Sequence, residues 1–121
     1  MAGATKVVNE YLAAFYSGDL DKARSVVAEN YVFKGPFVEA NDREAFFQSA
    51  ARLAAIVRGH HVLKQVEQGE DVCSLYEVNI VTAAGSGSVT MSEWHTVREG
   101  RLKLGRVVVD TVAFRKLVPP T

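Results

Sequence analysis

The feature that most constrains this chain is a change in its hydrophobic period near residue 60. Before that point, apolar residues recur every three or four positions, which is typical of amphipathic helices. After it come four β-rich runs, at about 60–68, 72–82, 87–97 and 101–113, separated by short breaks with turn chemistry. Because such short breaks suit antiparallel hairpins, the sequence predicts helices followed by a meandering sheet, which is an α+β pattern.

Three helices are predicted in the first half of the chain. The first presents apolar residues at helical spacing: Val7, Val8, Tyr11, Leu12 and Phe15. It ends at Gly18, and Asp19 caps a shorter second helix. The third begins at Asn41, with Glu44 three residues later as in a capping box, and ends at Gly59. One face of this third helix carries Phe46, Ala50, Leu53 and Val57.

Length and charge set limits on what the chain does. Its 121 residues predict one domain, 1–121, with 48% hydrophobic and 23% charged residues, as in globular proteins. Fourteen basic residues balance fourteen acidic ones and no basic run occurs, which argues against nucleic acid as a partner. No segment is apolar enough to cross a membrane, no secretory layout opens the chain, and Cys73 is the single cysteine. A cytoplasmic location is therefore expected.

Two ionisable residues occupy an apolar strand face. At period two, Glu93 and His95 share a face with three apolar residues: Val89, Met91 and Val97. The opposite face of the same run is polar except for Trp94. A carboxylate and an imidazole on an interior face are costly unless they are paired, hydrogen-bonded or facing a cavity. The pattern therefore indicates either a pocket with an acid–base pair or a polar core network in which each group finds a partner.

Three segments of the sequence resemble a known family. Residues 10–21 read Glu-Tyr-Leu-Ala-Ala-Phe-Tyr-Ser-Gly-Asp-Leu-Asp, residues 33–37 read Phe-Lys-Gly-Pro-Phe, and residues 93–102 form a hairpin before the last strand. These segments are similar to those of the nuclear transport factor 2-like superfamily. Its members include ketosteroid isomerase, scytalone dehydratase, limonene epoxide hydrolase and the SnoaL-like polyketide cyclases. The resemblance implies a cystatin-like cone: three N-terminal helices packed on a curved, mostly antiparallel sheet around an internal pocket.

The resemblance also implies roles for individual residues. Tyr11 falls where ketosteroid isomerase has its oxyanion-hole tyrosine, and Glu93 falls where it has a neutral, hydrogen-bond-donating acid. Gly35 falls where that enzyme has its general-base aspartate, so this chain departs from the steroid-isomerase mechanism unless Glu39 or another residue supplies the base. Asp110 matches a late acid–base aspartate of the SnoaL-like cyclases. Alternation puts Asp110 on the same strand face as Leu102, Leu104, Arg106 and Val108. The alternative to a catalytic role for Asp110 is therefore a salt bridge at the sheet edge.

The sequence thus predicts a pocket for a small hydrophobic molecule that carries a carbonyl or hydroxyl group. The expected ligand contacts are Tyr11, Phe33, Phe37, Glu93 and His95. The expected catalytic residues, in a cofactor-free isomerase, cyclase or dehydratase, are His95, Asp110, Glu93 and Tyr11. The alternative is a non-catalytic ligand-binding or dimeric interaction module, whose polar network would be closed on itself.

Two further features concern partners and metals. Trp94, among small polar neighbours, predicts a homodimer through the outer sheet face, since aromatic residues are enriched at interfaces. The superfamily often dimerises in this way. His60 and His61 are adjacent on a strand and point to opposite faces, so they do not form a metal pair, and no metal site is expected.

Overall fold

The computed structural model describes residues 3–120. The helices are α1 (Ala4–Tyr16), α2 (Leu20–Ser25), α3 (Arg43–Ile56) and α4 (Thr111–Leu117). The strands are β1 (Val27–Lys34), β2 (Glu39–Ala40), β3 (Val57–Gln68), β4 (Asp71–Thr82), β5 (Gly85–Arg98) and β6 (Arg101–Val109). One sheet has the order β2-β1-β6-β5-β4-β3, and its only parallel pair in the described chain is β1–β6. The predicted α+β class, with helices packed on a curved, mostly antiparallel sheet, is confirmed.

Short polar side chains cap α2 and α3, as the sequence predicts, with one shift. Gly18 follows α1 at a φ of 86°, a left-handed conformation that costs glycine little. Asp19 then caps α2 by accepting a hydrogen bond from the backbone N–H of Lys22. The third helix is capped by Asp42, whose carboxylate accepts from the Ala45 N–H at 2.8 Å. The predicted cap at Asn41 was therefore wrong by one residue.

The junction between α3 and β3 differs from the prediction that the helix runs to Gly59. The helix ends at Ile56, and Val57 already lies in β3, paired with Ile80 of β4. Val57 is buried, so its apolar side chain fits the helical pattern and the strand pattern equally well. Tertiary pairing with Ile80 decides between the two, because a β-branched residue packs well on a buried sheet surface.

The last strand also departs from the prediction. Thr96 faces Leu104 and Val97 faces Leu102, so Lys103 is an extra residue in β6, as in a β-bulge. The alternation reverses there, and Leu104, Arg106 and Val108 are exposed. The residues after the bulge that turn away from solvent are Gly105, Val107 and Val109. The strand ends at Val109, and residues 111–117 form α4, which the strand prediction to residue 113 missed.

The core lies between the inner sheet face and the helices. Its largest fully buried side chains include Leu12 of α1, Tyr31 of β1, Tyr76 and Ile80 of β4, and Leu102 of β6. The core is therefore aromatic as well as aliphatic, and it contains four tyrosine side chains from α1, β1 and β4. None of the helices between residues 3 and 120 is both long enough and apolar enough to span a membrane.

Candidate functional site

The inner face of β5 carries the acid and the imidazole, as the alternation predicts. Glu93 is 6% exposed and His95 is 2% exposed, and their apolar neighbours on the same face are buried. Trp94 points the other way and is 51% exposed. The predicted strand phase is confirmed, and both ionisable side chains lie in the core.

A pocket of about 560 Å³ lies between α3, α4 and the inner face of the sheet. Tyr11, Phe33, Phe37 and Glu93 line it, as expected for the ligand contacts. Its remaining wall is largely apolar and includes Phe15, Ala50, Leu53, Met91, Val107 and Phe114. The cavity volume and the mostly apolar wall with few polar groups are those of a small-molecule site.

Glu93 is the acidic residue of the pocket wall. Burial raises the pKa of its carboxyl group to about 8, and the Tyr76 hydroxyl opposes that shift in part. The carboxyl is therefore protonated at neutral pH and carries an O–H donor. Such a neutral acid offers a hydrogen bond to a ligand oxygen without the cost of a buried charge.

His95 lies behind the pocket and does not line it, which corrects the predicted ligand contact. Its Nε2 is 3.6 Å from Glu93 Oε1, and its ring meets Tyr11 edge to face with centroids 5.5 Å apart. Burial lowers the pKa of the imidazole to about 3, so His95 is neutral at pH 7. Burial has this effect because it removes solvent, which disfavours the charged imidazolium.

Tyrosines surround Glu93, and all of them except Tyr11 were not singled out in the sequence. Tyr16 also lines the pocket, and its hydroxyl is hydrogen-bonded to that of Tyr76 at 2.9 Å. Burial raises the pKa of all four tyrosines near the acid, namely Tyr11, Tyr16, Tyr31 and Tyr76. Tyr76 lies on the inner phase of β4 with Ser74 and Val78, so the alternation of β4 is the signal that would have found it.

The polar cluster around Glu93 is not fully paired. Within residues 3–120, Tyr31 Oη, Glu93 Oε1 and both ring nitrogens of His95 are buried and have no hydrogen-bond partner. Gly105 faces His95 across the β5–β6 ladder, and a Cβ atom there would overlap the Tyr31 hydroxyl. These atoms therefore lie in one part of the core. Buried polar groups are ordinarily paired, so these atoms are available for a hydrogen bond to a further group.

Asp110 is not at the pocket, which corrects its expected place there. It is exposed and caps α4, where its carboxylate accepts from the N–H groups of Val112 and Ala113 at 3.0 and 3.1 Å. The bulge at Lys103 and the end of β6 at Val109 remove Asp110 from the inward phase. Its contribution to the pocket is indirect, since α4 carries Phe114 and Leu117 of the wall.

Gly35 lies in the pocket wall at the position where the resemblance places a general base. A Cβ atom there would lie 2.7 Å from Val107 Cγ1 and 3.2 Å from Phe33 Cε2. An aspartate at this position would therefore require Val107 to move. The wall is packed for glycine, which agrees with the expected departure from the steroid-isomerase mechanism.

Comparison with known proteins gives a family and a fold. Residues 8–104 match the model of the SnoaL-like domain family. No curated protein shows a significant match to the chain.

Three solved structures illustrate the shared fold. An NTF2-like protein of unknown function from Burkholderia pseudomallei has a TM-score of 0.83 at 15% identity, over 99% of this chain and 100% of its own. IdmH, a proposed polyketide cyclase from Streptomyces antibioticus, has a TM-score of 0.82 at 19% identity, over 97% and 99%. TerC, co-crystallised with polyporic acid, has a TM-score of 0.83 at 16% identity, over 98% and 100%. At these identities the likeness shows the fold alone.

Proposed function

Since the chain belongs to the SnoaL-like domain family of the nuclear transport factor 2-like superfamily, we propose that its pocket binds a small apolar molecule that carries a carbonyl or hydroxyl oxygen. The observation that carries this proposal is a protonated carboxyl group, Glu93, in the wall of a largely apolar cavity of about 560 Å³. The apolar body of the ligand packs on Phe33, Phe46 and Leu53. Its oxygen accepts a hydrogen bond from Glu93, beside Tyr11 and Tyr16.

The binding test uses 1-naphthylacetamide, a neutral aromatic amide small enough for the cavity. Isothermal titration calorimetry should detect binding to the native chain and none to Ala50→Trp, because Ala50 lines the pocket and an indole would fill it. Ala55→Trp is the matched control, since Ala55 lies on the same helix but is exposed. Binding that is equal in all three proteins, or absent from the native chain, would refute the proposal.

A second candidate function, acid–base catalysis, is favoured by one observation. The Glu93 pKa of about 8 is close to physiological pH, and general acids and bases are most effective when their pKa lies near the working pH. Glu93 would donate its proton to the substrate oxygen while a water molecule accepts the proton from the adjacent carbon, and the reverse transfers would regenerate both groups. His95 lies beside Glu93, with its Nε2 3.6 Å from Glu93 Oε1, so a neutral imidazole flanks the acid. An isomerase, cyclase or dehydratase reaction fits this arrangement.

Catalysis is tested with 2-tetralone, a ketone with exchangeable protons next to its carbonyl. In D₂O, proton NMR should show exchange that is faster with the native chain than in buffer alone. Exchange should fall by roughly 10²-fold or to the buffer rate in Glu93→Gln, because general acid–base groups contribute effects of that order. Asp110→Asn should leave exchange unchanged, since Asp110 lies outside the pocket. Exchange at the buffer rate with the native chain would leave binding as the function.

Pairing of two copies through the outer sheet face belongs to the same proposal. Its support is a group of exposed apolar residues on that face: Val66 of β3, Leu75 of β4, Trp94 of β5, and Leu104 and Val108 of β6. Monomeric proteins rarely expose large apolar patches without a partner. The cytoplasmic location stays a prediction, supported by the single cysteine, which is free.

A further inference from the structure

The pocket wall includes two arginines that reach solvent, and this part of the wall is called the rim. They are Arg52 of α3 and Arg115 of α4, and Arg52 is exposed to solvent. Among the described residues that line the cavity, the other group able to carry a full charge near neutral pH is Glu93. Since Glu93 lies on the buried inner face of β5, the arginines make the entrance positive while the interior is neutral and apolar.

The packing around Arg115 holds its guanidinium at this entrance. The group lies over the ring of Phe37 at 4.1 Å from the centroid, and its Nη1 donates to the backbone oxygen of Val118 at 3.2 Å. Phe37 in turn stacks on Phe114, with ring centroids 4.7 Å apart. A cation over an aromatic face is attracted by the ring electrons, so the guanidinium is held by Phe37 without a carboxylate.

Neither arginine is neutralised by the described part of the chain. The ion pairs within residues 3–120 involve Arg24, Arg43, Arg98 and His95, and none includes Arg52 or Arg115. An unpaired guanidinium presents several N–H donors in a planar fork that matches a carboxylate. At the mouth of an apolar cavity, such groups favour a ligand with an acidic end.

We infer that the ligand is an organic acid, with its apolar body inside the pocket and its carboxylate between Arg52 and Arg115 at the rim. This inference rests on the proposed function, because it assigns a chemical class to the molecule bound in the same pocket. Glu93, which is more deeply buried than either arginine, takes a second oxygen of the ligand. The two rim arginines then set both the class of ligand and its direction of entry.

The test compares two probes of the same shape, 1-naphthylacetate and 1-naphthylacetamide, at pH 7 by isothermal titration calorimetry. With the native chain, the acid should bind roughly tenfold more tightly than the amide, as expected for partly exposed charge pairs. The ratio should fall towards one in Arg52→Gln and in Arg115→Gln. Arg101→Gln, an exposed arginine away from the pocket, should leave it unchanged. Added salt should reduce the ratio, since rim charges are screened.

The outcomes separate this inference from the proposal beneath it. If the amide binds as tightly as the acid, or more tightly, the acid class is refuted and the pocket proposal stands. If neither probe binds the native chain, both are refuted. Because Arg115 packs on Phe37, the Arg115→Gln variant can disturb the packing of the rim. If it does, the result with Arg52→Gln decides the test, because Arg52 is exposed and its replacement leaves the packing intact. A ratio kept in Arg52→Gln would refute the site. A ratio lost equally in Arg52→Gln and Arg101→Gln would reduce the effect to the overall charge and would refute the site as well.

Discussion

Glu93 and His95 are neutral neighbours whose protonation affects stability in opposite directions. Burial raises the pKa of Glu93 from 4.5 to about 8 and lowers that of His95 from 6.5 to about 3. Stability rises with pH where the unfolded chain holds more protons, and falls where the folded chain does. Glu93 therefore lowers stability as pH rises from 4.5 to about 8, and His95 raises it from about 3 to 6.5. Between 4.5 and 6.5 the two effects cancel.

The pair therefore predicts a stability plateau from about pH 4.5 to 6.5 and a loss on each side. Between pH 6.5 and 8 the free energy of unfolding should fall by about 2 kcal/mol, since one pKa unit corresponds to about 1.4 kcal/mol. Urea unfolding at half-unit steps of pH measures this. Glu93→Gln should abolish the fall above pH 6.5, and a fall of the same size in that variant would show that Glu93 is not its source.

Tyr31 and Gly105 pack against each other, and this contact gives a prediction about stability. Because a Cβ at Gly105 would overlap the Tyr31 hydroxyl, Gly105→Ala should destabilise the fold by about 1–3 kcal/mol. Tyr31→Phe removes a buried hydroxyl without a partner in the described chain, so alone it should be neutral or stabilising. In Gly105→Ala with Tyr31→Phe, denaturant unfolding should recover part of the loss, with Phe33 and the remaining ring limiting the recovery. A strictly additive double variant would contradict the contact.

At the scale of the elements, α4 depends on one capping carboxylate. Asp110→Ala removes the acceptor for two N–H groups and should cost about 0.5–2 kcal/mol of unfolding free energy. Asp110→Asn should cost much less, because asparagine caps as well as aspartate. Thermal unfolding of the two variants measures the difference. Equal losses of unfolding free energy in the two variants would assign the effect to the charge of Asp110 instead of its capping role. A large loss of affinity for 1-naphthylacetamide in both variants would show that Asp110 belongs to the pocket.

The elements also show what the sequence reveals and what it hides. Regular alternation over Val89–Val97 places Glu93 and His95 inside because β5 stays in register with β4 along its length. The alternation in β6 misleads because one extra residue at Lys103 reverses it, and a bulge leaves no pattern of its own. Residues 111–117 contain Val112, Ala113 and Phe114, which read as a continued strand. The cap at Asp110 was the available signal for α4.

The pocket is a property of the whole molecule, which limits its prediction from sequence. Glu93 was expected in its wall from the alternation of β5, and Tyr11, Phe33 and Phe37 from the resemblance to the family, and all four line it. The rim could not be predicted, since Arg52 and Arg115 join one pocket wall only because α3 and the unforeseen α4 both line the cavity. His95 was placed on the correct face, but its depth behind the cavity depends on how α1 packs on the sheet.

The outer sheet face provides the last prediction, which concerns two copies of the chain. A stable dimer needs about 800 Å² of surface from each copy and an aromatic anchor near the centre of the interface. Trp94 is the residue that can be this anchor, because it is 51% exposed and pairs with Cys73 of β4 and Arg106 of β6 in the sheet.

Trp94→Glu should therefore raise the dimer dissociation constant about 30-fold or more, as measured by sedimentation equilibrium, because it replaces the anchor with a charge that pairing would bury. Val112→Glu is the matched control, since Val112 is 67% exposed but lies on α4, outside the sheet. Binding of 1-naphthylacetamide should be unchanged in both variants, because the pocket is on the other side of the sheet. A native chain that stays monomeric at high concentration, or a control that dissociates equally, would leave this face without a second copy.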